Sequence, residues 1–258
     1  MNEFTREEQE LRPNENMAYY FHNLSKDKKM GGEVNIPYDK ENWSKEWKTI
    51  EYKKYKTNKK IKLLPFSECK ITETYADLLE KRKSERDFSK NMYEITLQDL
   101  SSILVNSISL KKVGVENSNR FYPSPGALFP VEIYIYVNRS KEIPFGVYYY
   151  NFLENCLELV NDNFTSDKLR IGGEHWFKDS SVMIIMTVVM QRIMQKYGER
   201  GYRYALIEAG HIGQNIYLAA TAKKIKVCAC GGIFESELER ILFIDGKNEC
   251  GIYAIALG

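Results

Sequence analysis

The stretch RFYPSPGALFP, residues 120–130, runs directly into VEIYIYV, residues 131–137. Pro123, Pro125 and Pro130 fix φ at three positions, so this turn has little conformational freedom to lose on folding. Gly126 between them lets the backbone come close to something flat or bulky. The apolar run that follows reads as a strand. The turn is therefore either a preformed wall for a ligand or a rigid loop that aligns the strand.

The surrounding chain of 258 residues is 43% hydrophobic and 13% aromatic, ample for a sizeable core. A net charge of +2 gives no overall bias towards nucleic acid or a membrane surface. The first residues, MNEFTREEQELRPNENM, are charged where a signal peptide is apolar, and the longest apolar run, Val182 to Met190, is too short to span a bilayer. The expected location is the cytoplasm. Five scattered cysteines suit free thiols in a reducing compartment, and Cys228-Ala-Cys230 without a second pair gives no metal site.

Between Lys26 and Lys62 twelve lysines stand against six acids, with Trp43, Trp47 and several tyrosines among them. With little apolar periodicity, residues 1–70 read as a basic, peripheral arm of short strands and loops. Its lysines form either a solvated face or a surface for an acidic peptide. The compact domain, 71–258, opens with two helix starts, Thr74-x-x-Asp77 and Thr96-x-x-Asp99. Strands are expected at 131–137, 147–150, 157–160, 181–190, 225–230 and 252–257, the second and third forming a hairpin. Helices are expected over 204–222 and 235–243, the first with apolar and small residues around most of its circumference, as in a helix buried or held in a subunit interface. Interleaved helices and strands with a central hairpin give an α+β class with a mixed sheet.

Three patches carry chemistry. Arg82-Lys83-Ser84-Glu85-Arg86 offers cations and a hydroxyl suited to a phosphate, and a continuing helical turn would put Arg82 and Arg86 on one face. The segment 195–215 gathers Lys196, Tyr197, Tyr202, Arg203, Glu208, His211, Gln214 and Asn215; a lysine beside a tyrosine suits proton transfer once burial favours the neutral amine. Gly231-Gly232 ends an apolar strand where backbone amides can approach a ligand. Each patch also has an ordinary structural explanation. No Walker A loop or G-x-G-x-x-G is present.

In order, RKSERDF, FYPSPGALFPVEIYIY, KYGERGYRYALIEAGHIGQNIYLAA and CGGIFESELERIL resemble the successive motifs of the SagB-type dehydrogenases, a branch of the nitroreductase-like flavoproteins. The resemblance spans about residues 75–258. It implies an FMN-binding α+β sandwich, a mixed sheet flanked by helices, working as a homodimer with flavin at the subunit interface. Arg82, Lys83, Ser84 and Arg86 would then hold the phosphate, ribityl chain and pyrimidine edge. Pro123, Ser124, Pro125, Gly126 and Ala127 would lie against the ring, with Gln214, Gly231 and Gly232 near it. Lys196 and Tyr197 match the family's proton-transfer pair. The implied reaction oxidises a thiazoline or oxazoline in a modified precursor peptide to the azole, alongside a cyclodehydratase that forms the ring. The alternative is an NAD(P)H-dependent reductase of small molecules or of dehydrated peptide residues. Pro125 and Phe129 depart from the family's more frequent alanine and tyrosine.

Overall fold

A computed structural model describes residues 17–26, 40–90, 92–115, 119–164 and 175–258. Much of the lysine-rich arm, residues 1–16 and 27–39, lies outside the described residues. Strand β2 (Val131–Val137) is the centre of the fold, and its sequence explains why. Val131, Ile133, Ile135 and Val137 enter one core, while Tyr134 and Tyr136 enter a second on the opposite face. Both faces of the strand are covered, so it reads as a nearly continuous apolar run.

Around it stand β1 (Lys60–Lys62), β3 (Gly146–Asn151), β4 (Cys156–Asn161), β5 (Val182–Val189), β6 (Val227–Cys230) and β7 (Glu249–Leu257), in the order β1-β4-β3-β2-β5-β7-β6. The α+β class and the β3–β4 hairpin are as expected, but the sheet is antiparallel at every strand pair rather than mixed. The helical crossover from β5 to β6 does bring back a strand running the same way as β5. However, β7 inserts between the two, with Leu257 opposite both Val182 and Val227.

The first core packs under α4 (Leu97–Ser107) and α6 (Arg200–Ala222), through Leu100, Ile103 and Leu104 from one and Ala209, Ile212 and Ile216 from the other. The second is closed by α7 (Glu235–Leu242) together with Phe88 and Phe177. Both predicted helix starts form. Thr74 caps α3 (Tyr75–Lys81), and Thr96 caps α4 in a reciprocal box with Asp99. Helix α6 is buried on one face only; Leu206, Ile207, Gly210, His211 and Gln214 make an exposed strip on the other. Helix α5 (Met190–Tyr197) is not anticipated by the apolar pattern, because it buries Arg192 and Lys196 as well as Ile193.

The described parts of the arm are α1 (Met17–Leu24), α2 (Lys45–Lys48) and the edge strand β1. Lys53 pairs with Glu249 at 2.5 Å, and the Tyr55 N–H donates to Glu158 at 2.9 Å. Phe21 of α1 stands edge-on to Tyr202 at 5.7 Å. Among the described residues no helix is long and apolar enough to cross a membrane.

The capping box yields a first prediction. Thr96→Ala frees the Asp99 N–H and is expected to cost about 1 kcal/mol. In urea unfolding the midpoint should fall while the slope stays constant.

Candidate active site

The turn that opens the sequence argument is held in an unusual backbone. Gly126, Ala127 and Phe129 have φ of 64°, 55° and 48°, all left-handed, and two of the three carry side chains that disfavour that region. The strain is fixed by local bonds. The Phe129 N–H donates to Ser124 Oγ at 2.9 Å and the Ala127 N–H to the Ser124 carbonyl at 3.0 Å. From below, Arg192 Nη1 donates to the Phe129 carbonyl at 3.3 Å and pairs with Glu132 at 2.6 Å. Tyr149 donates to the other Glu132 oxygen at 2.9 Å. The Arg120 guanidinium, itself buried, lies over the rings of Phe129 and Phe152 at 4.5 and 3.8 Å and donates to Tyr122 at 2.6 Å.

Gly126 is where this turn meets the predicted proton-transfer pair. A Cβ there would stand 2.7 Å from the Tyr197 hydroxyl and 3.0 Å from Lys196 Nζ. The close approach that the glycine permits is to these two side chains. Lys196 is 1% exposed, at the C-terminal end of α5, and its Nζ lies 5.3 Å from the Tyr197 ring centre. Tyr197 packs edge-on against Tyr204 at 5.1 Å. Burial, then the neighbouring Tyr204, pushes the Tyr197 hydroxyl's pKa upward, so it stays protonated at neutral pH.

Glu208, singled out in the sequence without a role, lies beneath the same turn. It is fully buried on α6, and its carboxylate receives the Val131 N–H at 3.4 Å and a hydrogen bond from Ser124. Burial raises its pKa to about 7, against the opposing pull of Ser124 and the Arg120 charge. The sequence carries a signal for this in retrospect, since a glutamate amid Ala205, Ala209 and Ile212 falls on the inner face of α6.

The cation cluster forms by a different geometry from the one expected. Helix α3 ends at Lys81, and Arg82 to Phe88 are without helix, with the Glu85 N–H bonded to the Val227 carbonyl. In an extended segment alternate residues share a side. Arg82 lies over the Tyr217 ring at 5.6 Å, and Ser84 Oγ is 2.9 Å from the Tyr217 hydroxyl. Lys83 instead pairs with Glu85 at 3.1 Å. Arg86 lies 6.0 Å from the Trp176 ring centre. Tyr217 also accepts the Ala229 N–H at 2.8 Å, tying the cluster to the end of β6, where Gly231 and Gly232 are exposed with open space beside them.

Among the described residues, no carboxylate pairs with Arg82 or Arg86. Arg82, without an acid and sharing Tyr217 with the Ser84 hydroxyl, suits a phosphate-bearing group. Pro123, Ser124 and Ala127 line an open pocket of about 380 Å³ with Lys111, Arg120 and Phe129. Gln214 lies on the exposed strip of α6. The structure thus forms two groupings, Gly126 with Lys196 and Tyr197, and Arg82 with Ser84 and Tyr217. Along α6, Tyr204 and Tyr217 are separated by about 20 Å.

The chain belongs to the nitroreductase family, whose sequence model matches residues 79–258. It is 29% identical to a nitroreductase-like protein of Methanocaldococcus jannaschii over 170 residues, 65% of this chain and 83% of that one. It is 27% identical to the microcin B17-processing protein McbC of Escherichia coli over 168 residues, 60% of this chain and 59% of McbC. A nitroreductase-like structure from Anabaena variabilis superposes with a TM-score of 0.67 at 23% identity, covering 93% of this chain but 46% of that one. The Escherichia coli microcin synthetase McbBCD complex, with truncated pro-MccB17 bound, gives a TM-score of 0.58 at 22% identity, over 76% of this chain and 86% of that one. These two structures share the fold.

Two measurements test this geometry. Gly126→Ala meets both a left-handed φ and the Tyr197 hydroxyl, and should destabilise by more than about 1 kcal/mol. Adding Tyr197→Phe should recover the part due to contact and leave the part due to φ. For Glu208, the raised native pKa means the folded state holds the proton more tightly. Its contribution is therefore complete below about pH 4.5 and declines as pH rises through 7, by about 3 kcal/mol in all. Urea titrations from pH 4.5 to 8 should show this decline, and Glu208→Gln should flatten it.

Proposed function

We propose that the chain is an FMN-dependent oxidoreductase that converts thiazoline or oxazoline rings of a ribosomally made precursor peptide into thiazoles or oxazoles. The observation that carries this reading is the convergence of Lys196 and Tyr197 on Gly126 of the rigid turn, a proton-transfer pair held against a flat backbone wall. Similarity to McbC supports the choice of a peptide-borne ring. The peptide-bound microcin synthetase structure supports a partnership with a ring-forming cyclodehydratase.

Arg82, Ser84 and Arg86 would hold the FMN phosphate and ribityl chain, with residues 123–127 and the amides of Gly231 and Gly232 beside the ring. When bound, FMN would supply the two-electron acceptor for the hydride that leaves the ring carbon beside the one deprotonated. Lys196 takes the proton from the ring carbon next to the azoline nitrogen. The Tyr197 hydroxyl, kept protonated by burial, donates a hydrogen bond that orients the ring. The burial of Lys196 itself limits access of water to this exchange.

A homodimer completes the site. The Arg82–Ser84 and Lys196–Tyr197 groupings lie towards opposite ends of α6. A two-fold axis that pairs the exposed strips of two α6 helices antiparallel places the first grouping of one chain beside the second grouping of its partner. Leu206 and Ile207 give that contact apolar flanks on either side of an axis near Gly210.

The absorbance spectrum of the purified protein comes first, with release and identification of any flavin. About one FMN per chain on a species of two chains is expected. Lys196→Ala should keep the flavin and lose oxidation of a thiazoline peptide. Full oxidation by that variant removes Lys196 from the reaction, and rapid turnover of nitroaromatics with none of azoline peptide overturns the substrate assignment.

A further inference from the structure

Two tryptophans of the basic arm reach the proton-transfer pair. The Trp43 ring centre is 2.9 Å from Lys196 Nζ and the Trp47 ring centre 5.5 Å from it. Around them the segment is solvent-facing: Glu41, Asn42, Ser44, Lys45, Glu46 and Lys48 are exposed, whereas Trp43 and Trp47 are half-buried. The two indoles are thus the points at which this segment presses on the body of the protein. Several of its bonds are internal. Ser44 Oγ accepts the Trp47 N–H at 3.4 Å, the Thr49 N–H donates to the Lys45 carbonyl at 3.1 Å, and Lys48 Nζ donates to the Glu41 carbonyl at 2.7 Å. The firm anchor comes later, at Lys53, which is held by Glu249 and Tyr134 at 2.5 Å each.

A short exposed segment with internal bonds that meets Lys196 through two half-buried indoles can open locally without unfolding the body. What it covers is the Lys196 ammonium, the group that the substrate must reach. An indole face on an ammonium is a favourable contact that only another electron-rich planar ring or an acceptor can replace without loss. We propose that the seat of Trp43 over Lys196 is the binding subsite for the planar five-membered ring of the substrate, and that Trp43 holds this place until the ring arrives. Trp47 remains as its second aromatic wall. The subsite rests on the azoline reading for the identity of its ligand, while the placeholder role of Trp43 does not. It assigns the arm to substrate selection: a ligand with neither a flat ring nor an acceptor to set there gains nothing at Lys196 to offset loss of the indole contact.

The test has two readouts that fail separately. The first labels the purified protein, with its bound cofactor, using an amine-reactive sulfonate and maps the lysines by mass spectrometry. Lys196 in the unaltered protein should react at least about tenfold more slowly than exposed Lys59. Trp43→Ala should bring Lys196 towards the Lys59 rate, Trp43→Phe should preserve protection, and slow labelling of Lys53 should report that the anchor is intact. Fast labelling of Lys196 in the unaltered protein, or no change in Trp43→Ala with the anchor intact, overturns the proposal. The second uses a variant with Trp47→Phe and Trp176→Phe, in which Trp43 alone fluoresces, and adds a peptide bearing one thiazole. A red shift on binding is expected. Binding without a shift overturns the subsite, and if Trp43→Ala loosens Lys53 this readout decides. A peptide that does not bind rejects the azoline reading, and the labelling pattern then still decides whether Trp43 holds the place.

Discussion

The geometry of the site depends on the ion pair between Glu132 and Arg192. Glu132 is the second residue of β2, two beyond the rigid turn, and Arg192 stands one helical turn before Lys196 on α5. Their 2.6 Å contact, almost wholly buried, therefore helps to set the distance between Gly126 and the Lys196–Tyr197 pair. Arg192 also donates to the Phe129 carbonyl and approaches Glu51 of the arm at 3.7 Å, so one guanidinium joins sheet, turn, helix and arm. Removing one member of such a pair leaves a buried charge, typically at a cost of 3–5 kcal/mol, whereas an apolar replacement of both can be neutral for stability. A methionine or leucine in place of Arg192 could fill the space but could not hold the strained Phe129 carbonyl. Charge here fixes direction as well as cohesion.

Strain in the turn and the polar groups beneath it belong to one arrangement. Left-handed φ at Ala127 and Phe129 persists only where surrounding bonds overdetermine it. Ser124 ties the turn to itself, Glu208 receives the first N–H of β2, and Arg120 stacks beneath Phe129. The prolines restrict the unfolded chain at the same positions and so lessen the entropy that these bonds must overcome. The result is a backbone surface whose shape precedes any ligand.

Much of this was legible in the sequence, for identifiable reasons. Cap residues and strand alternation are local, so Thr74, Thr96, β2 and the β3–β4 hairpin could be read directly. Strand order is not local, and β7 entering between β5 and β6 left no sign in either partner. The cation cluster was found by residue type but its geometry was misread. A period of four suited a continuing helix, whereas the break after Lys81 gives a period of two, which also explains why Lys83 pairs with Glu85. Tyr217 was missed because a tyrosine on a buried helix reads as core, and only the fold brings Arg82, Ser84 and Ala229 to it. Helix α5 was missed because its buried residues include charged ones.

The arm is where sequence and structure diverge most in meaning. A lysine-rich segment of low apolar periodicity reads as solvated surface, and at most of its exposed positions it is. Yet its interleaved aromatic and acidic residues make the contacts that matter: Trp43 and Trp47 on Lys196, Glu51 towards Arg192, and Tyr55 against Tyr134 at 6.3 Å. Composition averages over a segment, whereas packing selects single residues from it. The lysines keep the segment soluble and outward, and the interleaved indoles seat on the body of the protein at Lys196. A charged arm with interleaved aromatics thus has a physical reason to seat against a site whose own walls are rigid, because the indoles leave water there while the lysines stay in it.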